Sequence, residues 1–477
     1  MELDPNVCFR ALAARDPRFD GLFFVAVTTT GIYCRPICPA RTAGRDRVRF
    51  YRTAAQAERE GFRACFRCRP ELAPGAAAVD SVPRLVAAAA AKIDEGYLNE
   101  YSCDDLAAEL GVTSRHLRRA MESRLGIAPV ELAQTRRLAL AKQLLHDSKL
   151  PLADVAFASG FSSVRRFNSL FQARFGRSPS SLRRDVADGN EPSAAEVRLD
   201  YRAPFEWDAL LAFLGARAIP GVEHVADGQY QRTVTVGDRK GWLKVRRHPT
   251  RESLVVTCSA SLAPKLMSVV ARLRMLFDLD ARPSEIAQQL GGAPAIGGFV
   301  KRRPGLRVPG AFDPFEMMIR AVLGQQVTVR GATTLAGRFV EAFGGSMRGN
   351  PEGIGRTFPS AAEVAKATVA EVRKIGMPSA RAEALREVAG AFASGALQLG
   401  AGSDPESARV TLEGLPGIGP WTAQYVLMRG LKWPDAFPAS DLAVLKALKT
   451  KSAREAEQRS QAWRPWRSYA VMHLWNN

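Results

Sequence analysis

The chain has 477 residues and lacks any run of about 18 apolar residues, so no segment is expected to span a membrane as a helix. Its opening, MELDPNVCFRALAARDPRFDG, is acidic early and has no apolar stretch, which argues against a secretory signal. Cysteine is scarce. Seven in a chain of this length do not suggest a disulfide scaffold. These absences predict a cytoplasmic protein whose thiols stay reduced and can hold metal. Acidic residues are also in deficit: 48 Asp and Glu stand against 67 Lys and Arg, a net charge of +19. So basic a surface repels itself unless it meets a polyanion, and nucleic acid is the leading partner. No long basic amphipathic helix is present, which disfavours a membrane surface. At roughly 150 residues per domain, three or four domains are expected.

Four of the seven cysteines form a set. Three residues separate Cys34 from Cys38, two separate Cys65 from Cys68, and 26 lie between the pairs. Two close pairs joined by a loop suit a tetrahedral thiolate zinc site. Residues 31–70 carry ten arginines against three acids, so the site would sit in a basic shell. Two uses are open at this point: a structural zinc finger, or a thiolate core reactive enough to act as a nucleophile. The surrounding segments, TTTGIYCRPICPAR and GFRACFRCRPE, closely resemble the N-terminal zinc domain of the Ada methylation-response proteins over residues 3–75. That resemblance implies that Cys34, Cys38, Cys65 and Cys68 bind one Zn²⁺. It also implies that Cys34 accepts a methyl group from a DNA methylphosphotriester, with Arg41 among the DNA contacts. Methylation makes the core less negative, which favours approach to phosphate.

After the Pro/Ala/Gly-rich stretch 71–83, the pattern turns helical. An Ala-rich helix is expected over Arg84–Asp94, followed by two helix-turn-helix units. In the first, Ser102 caps a helix with Leu106, Ala107 and Leu110 on its apolar face; Gly111 turns, and Ser114 caps the second helix. In the second, Leu152, Val155 and Ala156 face inward, Gly160 turns, and Ser162 or Ser163 caps. A linking helix is expected at about 129–147. Residues 161–184 hold six arginines and no acid. The run from Gly160 to Pro179 resembles the AraC-type DNA-binding domain, which implies that Arg118, Arg165 and Arg166 contact DNA. The polar segment 186–196 reads as a linker.

The alternating patterns at 232–260, with a strand beginning at VRLDYRAP and helices at FEWDALLAFLGARA and APKLMSVVARLRMLFDLD, predict an α+β unit over 197–283. It contains no catalytic constellation. It resembles the small N-terminal domain of AlkA-type 3-methyladenine glycosylases.

From Leu412 the chain reads LEGLPGIGPWTAQYVLMRG. A helix ends near Gly414, a tight turn follows, and helix resumes from Trp421 to Arg429. Gly417 and Gly419 let backbone approach a phosphate, and the next helix N-terminus favours an anion. Further on, FPASDLAVLKAL puts Asp441 at a helix start, and five of the seven tryptophans lie in the last 57 residues. A cap for Asp441 and core packing for the tryptophans are the plainer readings. Together with RPGLRVPGAFDPFEMMIRAVLGQQVTV and RPWRSYAVMHLW, these segments resemble the helix-hairpin-helix-GPD glycosylases, specifically 3-methyladenine-DNA glycosylase II. The resemblance implies that Asp441 is the catalytic carboxylate and that Trp421, Tyr425 and Trp475 line the base pocket. It implies that Gln326 fills the gap left by a flipped base, although a polar wedge is unusual. It also implies that the carbonyls of Glu413, Leu415 and Ile418 hold a monovalent cation. Trp421 stands where bifunctional members carry a Schiff-base lysine, so a monofunctional enzyme without lyase activity is expected. The chain stops soon after Trp475, and a shortened last helix would loosen the pocket there.

The expected architecture is multidomain, mainly α with α+β parts. It comprises a zinc methyl-acceptor domain at 1–77, a double helix-turn-helix domain at 84–185, a small α+β domain at 197–283 and an all-α helix-hairpin-helix domain at 284–477. The expected protein senses methylation damage on duplex DNA, activates transcription with RNA polymerase as a further partner, and excises alkylated bases from a cytoplasmic, nucleoid-associated location. No segment matches the transferase domain (P-C-H-R) that Ada proteins usually carry. Three rivals stand beside this reading: a regulator with an inactive glycosylase fold, a repair enzyme whose N-terminal half only tethers it, and a generic architectural DNA binder, against which Asp441 and the cysteine quartet speak.

Overall fold

The computed structural model describes residues 3–75, 83–183, 194–400 and 403–476. The Pro/Ala/Gly-rich stretch 71–83 lies outside them from 76 to 82, and the linker expected at 186–196 from 186 to 193. The described chain forms two compact units. One comprises Met1–Arg202 with His248–Ala271, and the other Ala203–Arg247 with Arg272–Asn477. Among the described residues, no helix is long and apolar enough to cross a membrane.

The first unit begins with helix α1 (Pro5–Ala14), whose start is fixed by Asp4 accepting the N–H of Asn6 and by Pro at the first helical position. Strands β1 (Phe24–Val27), β2 (Ile32–Cys34), β3 (Val48–Tyr51) and β4 (Arg63–Ala64) form a sheet in the order β3-β1-β2-β4. Phe23, Val25 and Val48 pack with Cys8, Ala11 and Leu12 of α1. β2 and β4 are parallel, with Tyr33 opposite Ala64. The parallel pairing brings the ends of both strands, and hence Cys34 and Cys65, to the same edge. Between β3 and β4 lies α2 (Ala54–Arg59), capped reciprocally by Thr53 and Gln56.

The helical part of this unit is a structural duplication. α3 (Arg84–Asp94) comes first. α4 (Cys103–Glu109) and α5 (Ser114–Leu125) form one turn-joined pair, and α7 (Leu152–Ala158) and α8 (Val164–Phe175) the other. α6 (Pro129–Asp147) lies between the pairs. α5 and α8 are both twelve residues long, and each ends at a glycine in the left-handed region: Gly126 at φ 71° and Gly176 at φ 69°. One sequence expectation needs correction. Thr113, not Ser114, accepts the N–H of His116 and caps α5; Ser114 is already helical and donates its hydroxyl to Asp104. Ser163 caps α8 and Ser102 caps α4. Leu110 and Leu152 are only partly buried, whereas Leu106, Ala107, Val155 and Ala156 are fully so.

α6 also ties the sheet to the helices. Its Lys142 is fully buried and donates to Glu71 Oε2 at 2.8 Å and to the Cys65 carbonyl at 3.2 Å. Asp147, at the end of α6, takes both Nη atoms of Arg69 at 2.8 and 2.9 Å. Glu58 of α2 accepts from Tyr33 Oη, from Thr135 Oγ1 and from Arg174 of α8. Buried charges hold such positions only when paired, so removing one partner costs several kcal/mol, roughly 3–5. The strand Ala194–Asp200 pairs antiparallel with the strand Ser253–Ser259 in the same unit.

The second unit carries helix α9 (Trp207–Gly215) and three antiparallel strands, Glu223–Ala226, Gln229–Val236 and Arg239–Arg247. The stretch expected as one α+β unit, 197–283, does hold strands and helices, but they are divided between the two units. The rest of the unit is helical apart from one short antiparallel pair, Gly345–Ser346 with Arg356–Thr357, within the stretch expected to be all-α. The elements that build its site are α10 (Pro314–Leu323), α11 (Val329–Phe343), α12 (Pro405–Glu413), α13 (Pro420–Arg429), α14 (Leu442–Ala447) and α15 (Arg467–Trp475). A buried network of Arg232, Glu316, Arg320 and Glu223 joins the strands to α10. α15 is almost wholly buried and ends at Trp475.

Candidate functional sites

In the first unit the four cysteines converge. Their sulfur atoms all lie within 4.8 Å of one another. Two come from strand ends and two from the tight turns that follow: Cys38 N–H bonds to the Arg35 carbonyl, and Arg69 N–H to the Cys65 carbonyl. Cys38, Cys65 and Cys68 are buried, and Cys34 is partly exposed. Cys68 Sγ accepts the Arg35 N–H at 3.4 Å, which stabilises negative charge on that sulfur. Arg35 itself is buried against Asp20 and, at 2.8 Å, Asp200, so the residue after Cys34 is held firmly. Four converging sulfurs, with no other donor in the cluster among the described residues, fit a tetrahedral Zn²⁺.

Arg41 is exposed on the same module. On α5, Arg118 is exposed but bonded to Glu122 at 3.0 Å. On α8, Arg165 and Arg166 are exposed and form no ion pair among the described residues. The apolar sides of both helices are buried through Leu117 and Met121, and through Phe167, Phe171 and Phe175.

In the second unit Asp441 is both a cap and a focus. Its Oδ1 accepts the backbone N–H groups of Ala443 and Val444 at 3.0 Å, so it begins α14. The same atom accepts Trp475 Nε1 at 3.0 Å, and Oδ2 accepts Trp421 Nε1 at 2.9 Å. Trp421 stacks on Tyr425 with ring centroids 5.2 Å apart, and Tyr425 lies 6.1 Å from Trp475. All four residues named from the sequence therefore meet. The sequence reading missed three others. Phe213 of α9 stacks on Trp475, Arg429 donates to Tyr425 Oη at 2.7 Å, and Arg217 lies 3.7 Å over the Phe213 ring. Only helical spacing from Tyr425 pointed to Arg429; nothing local pointed to Phe213 or Arg217. Burial would raise the Tyr425 phenol, but the guanidiniums of Arg429 and Arg217 outweigh it and hold the phenol below the ordinary tyrosine value.

The hairpin runs from α12 to α13. Gly417 has φ +77°, and a Cβ there would meet Ala384 at 2.7 Å, so glycine is required twice over. Gly419 is different. It caps α13 without a side chain, and a Cβ there would meet nothing, so open space lies before that helix's first N–H groups. Gln325 of the α10–α11 turn donates to the Gly417 carbonyl at 2.9 Å and to Thr422 Oγ1 at 3.0 Å, fastening that turn to the hairpin. Gln326 beside it is exposed, with φ +57°.

Comparison with known proteins fits this geometry. Residues 7–71 match the metal binding domain of Ada, 106–185 a helix-turn-helix domain, 196–313 the AlkA N-terminal domain, and 319–466 the HhH-GPD superfamily of base excision DNA repair proteins. The chain is 41% identical, over its whole length and 97% of the relative's, to a probable bifunctional transcriptional activator/DNA repair enzyme AlkA of Mycobacterium tuberculosis. It is 36% identical, over 58% of its length and 95% of the relative's, to DNA-3-methyladenine glycosylase 2 of Escherichia coli. A solved 3-methyladenine DNA-glycosylase from Archaeoglobus fulgidus shares the fold over 58% of this chain and 97% of its own, at 21% identity and a TM-score of 0.51. The chain belongs to the family of bifunctional transcriptional activator/DNA repair enzymes that join an Ada zinc module and a helix-turn-helix domain to a helix-hairpin-helix DNA glycosylase.

Proposed function

We propose that the chain excises alkylated bases such as 3-methyladenine by hydrolysis at Asp441 and, separately, accepts a methyl group from DNA methylphosphotriesters on Cys34. The observation that carries the glycosylase half is Asp441 held between two indole N–H groups at the edge of an aromatic cluster. An alkylated purine is cationic and leaves readily, so the site need not protonate it. Aromatic faces of Trp421, Tyr425 and Trp475 favour the cation. As the C1′–N bond breaks, its electron pair goes to the base. The fixed carboxylate stabilises the sugar cation and takes a proton from the attacking water. The two indoles cost no reorganisation, because they already point at the oxygens. With Trp421 at the position of the Schiff-base lysine, hydrolysis would proceed without strand cleavage.

For the methyl transfer, bound zinc would keep the thiolates ionised near neutral pH. Cys34 is the cysteine most open to DNA, and Cys68 is the one already engaged by an N–H donor. The Cys34 sulfur lone pair forms the new S–C bond while the methyl–oxygen bond breaks, leaving a phosphodiester anion. The site then carries one negative charge less and approaches phosphate more easily. Arg41, Arg118, Arg165 and Arg166 supply cationic contacts, and RNA polymerase is the expected partner at a promoter. Four modules at 1–77, 84–185, 197–283 and 284–477 in a cytoplasmic, nucleoid-associated protein complete this reading. A monovalent cation at the carbonyls of Glu413, Leu415 and Ile418 also belongs to it. Leu415 already accepts the Ile418 N–H, so only its second lone pair would serve the cation.

The deciding test is release of free base from methylated duplex DNA by wild type and by Asp441→Asn. Release by the wild type alone supports the reading. No release by the wild type favours a regulator with an inactive glycosylase fold.

A further inference from the structure

The residue directly after Asp441 is Leu442, the first residue of α14, and it is 83% exposed. No other large hydrophobic described as exposed exceeds 59%. A second exposed apolar tip, Val327 and Val329, stands beside Gln326. Both tips hang from the first turn of α13. Gln325 fastens the turn carrying Val327 to Thr422, and the preceding residue, Trp421, bonds Asp441. Gln326, next to Val327, is held in the left-handed region, a conformation that costs free energy in a non-glycine residue and is kept where function needs it.

We infer that Leu442 is a second DNA wedge, lying against the base step beside the flipped nucleotide and acting with the Gln326–Val327 turn. This inference rests on the glycosylase reading. Extruding a base leaves a gap in the stack, and proteins that hold duplex DNA unstacked fill such gaps with apolar side chains. Gln326 fills the gap poorly, because its amide loses water on entering the stack and finds no fixed partner there. Leu442 has the needed chemistry and the needed place. Asp441 must reach the sugar of the extruded nucleotide, so the side chain one residue on must lie close to the same backbone. Nothing in the fold covers it, and the strong positive charge of the chain names duplex DNA as the cover.

The test is single-turnover release of 7-methylguanine placed opposite cytosine, or opposite an abasic-site analogue where it is already unpaired. Leu442→Ala should slow release from the paired site by about tenfold or more and from the unpaired site by less than about threefold, because only the paired base must be pried from its stack. Leu442→Met should keep most of the wild-type rate. The melting temperature should not move, since the side chain is exposed. A 2-aminopurine beside an abasic-site analogue should brighten on binding wild type and brighten less with Leu442→Ala, a readout without chemistry. An equal loss on both substrates, or no loss on either, overturns the inference while leaving the glycosylase reading intact. Concentration-dependent dimerisation lost in Leu442→Ala also overturns it, since a second copy would then be the cover. No release by the wild type overturns both.

Discussion

The indole of Trp475, 34 residues beyond Asp441, donates to the same carboxylate oxygen that caps α14. Three donors therefore fix that oxygen, and Trp421 fixes the other. The carboxylate is oriented before any substrate arrives.

Asp441→Asn should abolish base release while leaving the fold intact. Asparagine caps a helix as well as aspartate does. What is lost is the negative charge facing the sugar cation, and a fall of about 100-fold or more is expected from loss of such a preorganised group. Chromatography of released bases, with thermal melting as a control, checks this.

Trp475→Phe keeps an aromatic wall but removes one hydrogen bond to the carboxylate. A bond to a charged group contributes about 1.5–3 kcal/mol, so a roughly tenfold to hundredfold slower step is expected. Affinity for methylated DNA should change little, and comparison of single-turnover rate with binding separates the two.

Removing zinc with a chelator should loosen the sheet of β1–β4 and leave α12–α15 protected. Cys38, Cys65 and Cys68 form only a small buried cluster, so the bonds of a metal to the four sulfurs would supply much of the stability there. Amide hydrogen exchange should rise at residues 24–72 and not at 405–476.

Methyl transfer should mark Cys34 alone. Incubation with methylated DNA followed by peptide mass analysis should place a single methyl group there, and Cys34→Ser should eliminate it. Arg165→Ala and Arg166→Ala should each weaken DNA binding and lower the salt dependence by about one phosphate contact. Arg118→Ala should matter less, since Glu122 already shares its charge.

His473 gives a pH prediction for the second unit. Burial, with Arg303 nearby, pushes it down to about 4. The folded value lies below the unfolded one, so its contribution to stability is complete above about pH 6.5 and is lost as pH falls toward 4. The loss amounts to about 3 kcal/mol at most, by the free energy of that shift. Urea titrations at pH 7 and pH 4.5 should show a smaller difference for His473→Gln than for wild type.

Much of this protein is legible along the chain, because its chemistry sits in local patterns. The cysteine spacing names a zinc site, since strand-end pairs followed by tight turns bring four sulfurs together whatever surrounds them. The glycines at 417 and 419 name a hairpin, since backbone conformation and clearance are local demands. The caps were nearly as readable; Thr113 displaced Ser114 because a cap depends on one residue's backbone angle. Tertiary structure alone decided the rest. Phe213 joins the pocket from α9, more than 200 residues before Trp421, and Arg217 and Gln325 are placed by packing between distant helices. Glu58 meets Thr135 and Arg174 for the same reason. Contacts between remote segments follow from how whole faces bury against one another, and a sequence window carries no record of which face it will meet.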